Sequence, residues 1–248
     1  MLYRNPIPYS AFALLTMMVC SYANAGVVIT GTRLVYPAAQ QEITVKLNNN
    51  GSKPVLVQSW IDGGDLTSSP SNAKAPFVLT PPVARIDPNK GQSLRMMFSG
   101  PPQPSDRESV YWLNVLEIPP KVQDDTETNV LQMAFRSRIK IFYRPDNLPG
   151  TATEAIEQVQ WKIVLINQGK SYALQAYNPS AYHVSQIALT LVDGVTREPS
   201  EDGMIDPGQT RQFPLPTLKK PPSSSAVVEF SAINDYGALV ATRKPLVP

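Results

Sequence analysis

The strongest constraint in this sequence is a period-two alternation of apolar and polar residues in short, punctuated segments. Ile43-Thr44-Val45-Lys46-Leu47 is the clearest, and residues 55–61, 110–118, 131–143, 159–166, 188–192 and 227–233 repeat the pattern. Alternation of this kind places one set of side chains in a core and the other in water, the signature of a half-buried strand. Turn chemistry separates the runs: Asn48-Asn49-Asn50-Gly51, Asp62-Gly63-Gly64-Asp65, Thr80-Pro81-Pro82, Asp87-Pro88-Asn89, Asp193-Gly194 and Asp206-Pro207-Gly208. Strands at roughly ten-residue spacing with such punctuation predict antiparallel β-sandwiches. Proline supports the same reading. There are 25 prolines against 13 glycines in 248 residues, where about 5% proline is ordinary. Each removes a backbone donor and clashes with a preceding helical turn. Residues 154–158 are the longest helical candidate and are too short and weak to alter the class.

The opening residues stand apart. Residues 1–25 read as a secretory signal peptide, with Arg4 at the start and the apolar run Ala11-Phe12-Ala13-Leu14-Leu15-Thr16-Met17-Met18-Val19. Ala23-Asn24-Ala25 supplies the small-x-small pattern for cleavage between Ala25 and Gly26. The apolar run is too short for a bilayer span, which takes ~20 residues. Cleavage removes the single cysteine, Cys20, and one of the cations behind the net charge of +2, leaving an almost neutral, cysteine-free chain. That chain has no second hydrophobic stretch for membrane insertion and no basic footprint for nucleic acid.

A boundary falls in Arg144-Pro145-Asp146-Asn147-Leu148-Pro149-Gly150, where a long alternating run ends in proline and glycine. It divides the exported chain into residues 26–146 and 147–248, each the size of an immunoglobulin-like sandwich. Enzymatic chemistry is poorly provided for. One histidine, His183, and one cysteine exclude paired-histidine and Cys/His metal sites, and any His-based acid–base chemistry rests on His183 alone. No phosphate loop, nucleophile elbow or dinucleotide fingerprint occurs. Ser137 and Lys140 lie three residues apart on a strand, hence on opposite faces, which weakens a Ser/Lys nucleophile reading. His183 is read as a surface or packing residue. No cofactor and no catalytic residue are expected.

The segment Asn129-Val130-Leu131-Gln132-Met133-Ala134-Phe135-Arg136-Ser137-Arg138-Ile139-Lys140-Ile141-Phe142-Tyr143-Arg144-Pro145 is the most unusual. Leu131, Met133 and Phe135 share one face by period two, and Arg136, Arg138, Lys140 and Arg144 crowd the following residues. Alternation alone fits an ordinary strand packing these apolar groups into its own core. The ending Arg138-Ile139-Lys140-Ile141-Phe142-Tyr143-Arg144-Pro145, however, resembles the signature of the periplasmic pilus (fimbrial) chaperones, the PapD-like family. Four further segments match that family in order: Gly31-Thr32-Arg33-Leu34-Val35-Tyr36-Pro37, Gln58-Ser59-Trp60, Asp106-Arg107-Glu108-Ser109 with Tyr111-Trp112-Leu113-Asn114-Val115, and Asn234-Asp235-Tyr236-Gly237.

The resemblance implies two immunoglobulin-like domains set at an angle around a cleft. It implies a non-enzymatic protein that binds, folds and caps pilus subunits by donating an edge strand and passes them to an outer-membrane usher. Leu131, Met133 and Phe135 would fill the subunit groove. Arg33 and Lys140 would grip the subunit's C-terminal carboxylate, although from sequence alone an internal salt bridge to Asp or Glu ranks above ligand binding for them. Glu108, Arg144 and Asp235 match a salt-bridge network between the domains. Strict alternation puts Lys140 opposite Leu131, Met133 and Phe135, for which a twist or bulge is the expected remedy. The short stretch of residues 119–128 resembles the short-loop branch of the family. An exposed edge strand also leaves self-association of the free protein open. The rival reading, an exported structural pilus subunit or adhesin, is disfavoured by the absence of cysteine in the exported chain. The loop of residues 62–76 has no assigned role.

Overall fold

The computed structural model describes residues 26–120 and 133–247, so the leader, residue 25 before the cleavage site, and Leu131 lie outside the described residues. Nearly all regular structure is β, in two sandwiches. The first is built from β1 (Val27–Ile29), β2 (Arg33–Pro37), β3 (Ile43–Asn49), β4 (Val55–Asp62), β5 (Phe77–Thr80), β6 (Val83–Ile86), β7 (Gly91–Phe98), β8 (Ser109–Ile118) and β9 (Phe135–Arg144). One sheet has the order β1-β3-β7-β5 and the other β2-β9-β8-β4-β6. The chain passes from the first sheet to the second between β1 and β2, where Gly31 adopts φ +98°, a left-handed conformation that costs glycine little. Between the sheets lie Tyr36, Leu47, Leu94, Met96, Leu113 and Ile141, all essentially inaccessible to water.

The second sandwich begins with a helix, α1 (Ala152–Gln158), capped by Thr151 and Glu154, whose side chains each bond the other's backbone N–H. This capping box explains how a stretch with weak periodicity still forms a short helix. It buries Ala155 and Ile156 against a core around Trp161, Leu174, Leu189 and Phe213. The strands are β10 (Gln160–Ile166), β11 (Ser171–Tyr177), β12 (Val184–Asp193), β13 (Thr196–Pro199), β14 (Gly203–Ile205), β15 (Thr210–Leu215), β16 (Val227–Ile233) and β17 (Leu239–Pro245). They form a three-stranded sheet β10-β11-β15 facing a five-stranded one, β13-β12-β16-β17 with β14 also on β12.

The alternation located most of the long strands but misjudged several ends. The Asn48-Asn49 pair belongs to β3 rather than to the turn after it. Asn49 is fully buried, donating to the carbonyls of Lys53 (2.9 Å) and Ile86 (3.0 Å). The register of β12 on β16 shifts between Ile187 and Thr190, with Ala188 at φ 54°, so the strand extends to both sides of the alternating run at 188–192.

Candidate functional site

The site is organised by β9. From Lys140 to Tyr143 it is flanked on both edges, by β8 and by β2, which runs parallel with Arg33 opposite Lys140 and continues to Pro37 opposite Arg144. Its first five residues, Phe135 to Ile139, pair only with β8. On the side where β2 has not yet begun, that half of the strand presents an open edge. Met133 and Phe135, 54% and 58% exposed, stand at its start.

The two faces of β9 have separate tasks, and the expected bulge is absent. The register with β8 runs without interruption from Ser109 opposite Tyr143 to Glu117 opposite Phe135. On the odd-numbered face, Ile139, Ile141 and Tyr143 pack onto the first core, and Phe135 continues their row beyond it. On the even-numbered face, Arg136, Arg138, Lys140, Phe142 and Arg144 turn away from that core. Lys140 and Phe135 are on opposite faces of a regular strand.

Along the even face the cations meet three different environments. Arg136 and Arg138 lie over the rings of Trp60 and Trp112, 4.8 and 4.6 Å from the ring centroids. Arg136 donates to Asn114 Oδ1 (2.6 and 2.9 Å), Ser68 Oγ (3.1 Å) and the Leu66 carbonyl (3.0 Å). Arg138 donates to Asp62 Oδ1 at 2.6 Å. Burial alone would push the Asp62 carboxyl up. Hydrogen bonds from Arg138, Asn114, the Gly64 N–H and Ser68 outweigh it and hold the group at about 2. The loop of residues 62–76 thereby gains a role, since its Asp62, Leu66 and Ser68 tie down the half of β9 that has an open edge.

At the far end, Arg144 is saturated. Its Nε donates to Glu108 Oε1 (2.7 Å), and its two terminal nitrogens grip both oxygens of Asp235 (2.7 and 2.9 Å). Glu108 also accepts from the His183 backbone N–H at 2.8 Å, with the His183 ring Nδ1 3.2 Å away. Burial depresses the Arg144 pKa, but the two carboxylates more than reverse this. Glu108 and Arg144 come from the first sandwich, His183 and Asp235 from the second. The three residues expected to form a network across the domains do so. His183, expected at the surface or in packing, is a buried fourth member, and a single histidine between Tyr182 and Val184 carries no sequence signal of that.

Between these two environments lie Arg33 and Lys140. Among the described residues neither makes an ion pair within 4.0 Å, so an internal salt bridge does not account for them. Arg33 is buried, donates to the Ile233 carbonyl at 2.6 Å and leaves Nε without a partner. Burial lowers its pKa, with Asp235 and Glu108 opposing. Lys140 Nζ reaches Ser185 Oγ of β12 at 3.3 Å. Its pKa is lowered by burial and then by Arg33, Arg211 and Arg138. Two adjacent, partly desolvated cations that repel each other form an electrostatic site for an anion.

Residues 26–149 match the family described as pili and flagellar-assembly chaperone, PapD N-terminal domain, and residues 154–244 match the pili assembly chaperone PapD C-terminal domain. The chain is 40% identical over 235 residues to the probable fimbrial chaperone YadV of Escherichia coli K12, covering 93% of this chain and 94% of that one. It is 39% identical over 221 residues to the chaperone protein FimB/FhaD of Bordetella pertussis, covering 88% and 86%. A crystal structure of a YadV chaperone superimposes with a TM-score of 0.77 at 39% identity, covering 90% of this chain and all of that one. These likenesses favour a chaperone over a structural subunit or adhesin, and with both domain families matched in order the chain belongs to the PapD-like pilus assembly chaperones.

Proposed function

We propose that this chaperone captures pilus subunits by adding β9 and the residues before it to an incomplete subunit sandwich, and anchors the subunit's C-terminal carboxylate on Arg33 and Lys140. The observation that carries the reading is the change along one strand. An open edge with exposed apolar side chains leads, five residues on from Phe135, to two cations that have no acidic side chain within 4.0 Å among the described residues. Strand addition satisfies main-chain groups along an edge and takes its specificity from alternate side chains. Leu131, Met133 and Phe135 are that alternate set, each contributing ~1.5–3 kcal/mol when fully buried. A one-residue slip would turn all three to the wrong face. A fixed charge contact at the strand's end selects one register.

The exported form begins at Gly26 after cleavage behind Ala25 and acts in the periplasm, as residues 26–146 and 147–248 joined by the Glu108–Arg144–Asp235 network. The loaded complex is handed to an outer-membrane usher, and the short stretch before β9 fits the short-loop branch. No turnover and no cofactor enter this scheme.

The test is retention of a pilin-like polypeptide in periplasmic extract. Wild type is expected to copurify with one subunit per chaperone. Lys140→Ala and Arg33→Ala are expected to fold and to lose at least nine-tenths of it. Met133→Glu is expected to weaken capture by placing an unpaired charge in an apolar groove. Undiminished capture by all three variants would refute the scheme.

A further inference from the structure

Glu117 is the last charged residue of β8 and lies opposite Phe135, where the open half of β9 starts. It is half-buried, and among the described residues it has no cation within 4.0 Å. Its Oε2 accepts the Val27 backbone N–H at 2.8 Å. Both carboxylate oxygens lie over Gly26: a Cβ added to that residue would meet Oε1 and Oε2 at 2.3 Å each. The carboxylate therefore lies directly against the residue whose nitrogen becomes free if the leader is cut before it. The segment is itself fixed, since the Gly26 carbonyl accepts the Asn50 N–H at 3.1 Å and β1 pairs with β3.

We propose that Glu117 is a binding site for an α-ammonium group, that of the chain's own Gly26 after processing. In the unprocessed chain the same nitrogen is an uncharged amide, and among the described residues the half-buried carboxylate accepts from the Val27 backbone N–H and from no side chain. Cleavage supplies the missing cation, and the new ion pair ties β1 to β8 beside the root of the donor segment. The pair is coupled to pH in a defined sense. A carboxylate neighbour raises the pKa of an amine, so its stabilising effect is complete at neutral pH and fades as pH rises through the raised value. The proposal rests on cleavage before Gly26.

Intact-mass measurement of the protein purified from periplasm decides that premise by itself. On protein that starts at Gly26, NMR titration of the terminal amine is expected to give a pKa about one unit or more above its ordinary ~7.7–8.0. In Glu117→Gln, which keeps an acceptor for the Val27 N–H, it is expected to return to the ordinary value. Inserting one alanine before Gly26 moves the charge away. It is expected to lower the thermal midpoint as Glu117→Gln does, with the double change no worse than either alone. An ordinary amine pKa in wild type, unmoved by Glu117→Gln, would overturn the assignment, as would additive losses in the double variant.

Discussion

Arg144 and Lys140 are two repeats of the pleat apart on the same face of the same strand, yet they are treated in opposite ways. Around Arg144, two carboxylates accept three hydrogen bonds of 2.7–2.9 Å, and one of them, Glu108, also accepts the His183 N–H of the second domain. Around Lys140, the strongest charge influence is another cation, Arg33, with Asp206 opposing it, and its hydrogen bond among the described residues is to a serine hydroxyl. Asp235 and Glu108 are near enough to be felt by Arg33, but Arg144 has already engaged them. The difference separates two uses of charge. The saturated cluster bonds one domain to the other, and the unsaturated one leaves positive charge without an acid within 4.0 Å among the described residues beside that junction. Arg33 bonds a carbonyl of β16 and Lys140 a hydroxyl of β12, so each anchor residue is seated by the domain it does not belong to.

The sharpest way to break this contrast is Glu108→Ala. It removes a carboxylate that is almost wholly buried and leaves Arg144 and the His183 N–H short of partners. Truncating one member of a buried ion pair costs about 3–5 kcal/mol. Urea denaturation is expected to show a loss of that size, with the two domains unfolding in separate steps once their link is gone. A loss under about 1 kcal/mol would mean that the network contributes little to the domain arrangement.

The opposite sign is expected at the anchor. Lys140→Met keeps the length of the side chain and removes a charge that no acid within 4.0 Å compensates among the described residues. Stability is expected to stay within about 1 kcal/mol of wild type or to rise, because replacing an unsatisfied buried charge by an apolar group is commonly neutral or favourable. Subunit capture is nonetheless expected to fail. A protein destabilised as much as Glu108→Ala would show instead that Lys140 is a structural residue.

Legibility of the molecule in its sequence follows the same division. The two sandwiches were readable because period-two alternation is a local property, and the strands β3, β4, β8 and β16 lie close to where it places them. Strands such as β7 and β15 are not, since Gln92 on the inward face and Met97 on the outward face of β7, and Arg211 on the inward face of β15, interrupt the pattern and only the partner strand defines them. The family motifs named Arg33, Lys140, Glu108, Arg144 and Asp235, and the structure brings them together in the two groups described. What alternation could not reveal is any contact made across loops. Trp60, Trp112 and Asn114 are visible only as motif letters and Asp62 only as a turn residue, and their function as a bed for Arg136 and Arg138 depends on the fold of the 62–76 loop. The basic crowding in β9 is plain in the sequence, but its reason is not. The structure divides it into stacked, unpaired and saturated cations, a distinction made by neighbours far away in sequence.

The smallest effect expected from the contrast lies in its response to pH. A lysine whose folded-state pKa is lowered binds fewer protons folded than unfolded, so stability rises with pH through the folded value and levels off near its ordinary 10.5. Lys140 is lowered by burial first and by Arg33 next, which places it in this class. Arg144 is raised and belongs to the other. Wild type is therefore expected to gain stability relative to Lys140→Met as pH increases toward 10.5. A bound carboxylate reverses the sign, because it favours the ammonium form and raises the Lys140 pKa. Subunit binding at alkaline pH is then accompanied by proton uptake, which calorimetry in buffers of different ionisation enthalpy measures directly. Release of protons on binding to the wild type, or binding without uptake, would place the anionic contact on some group other than Lys140.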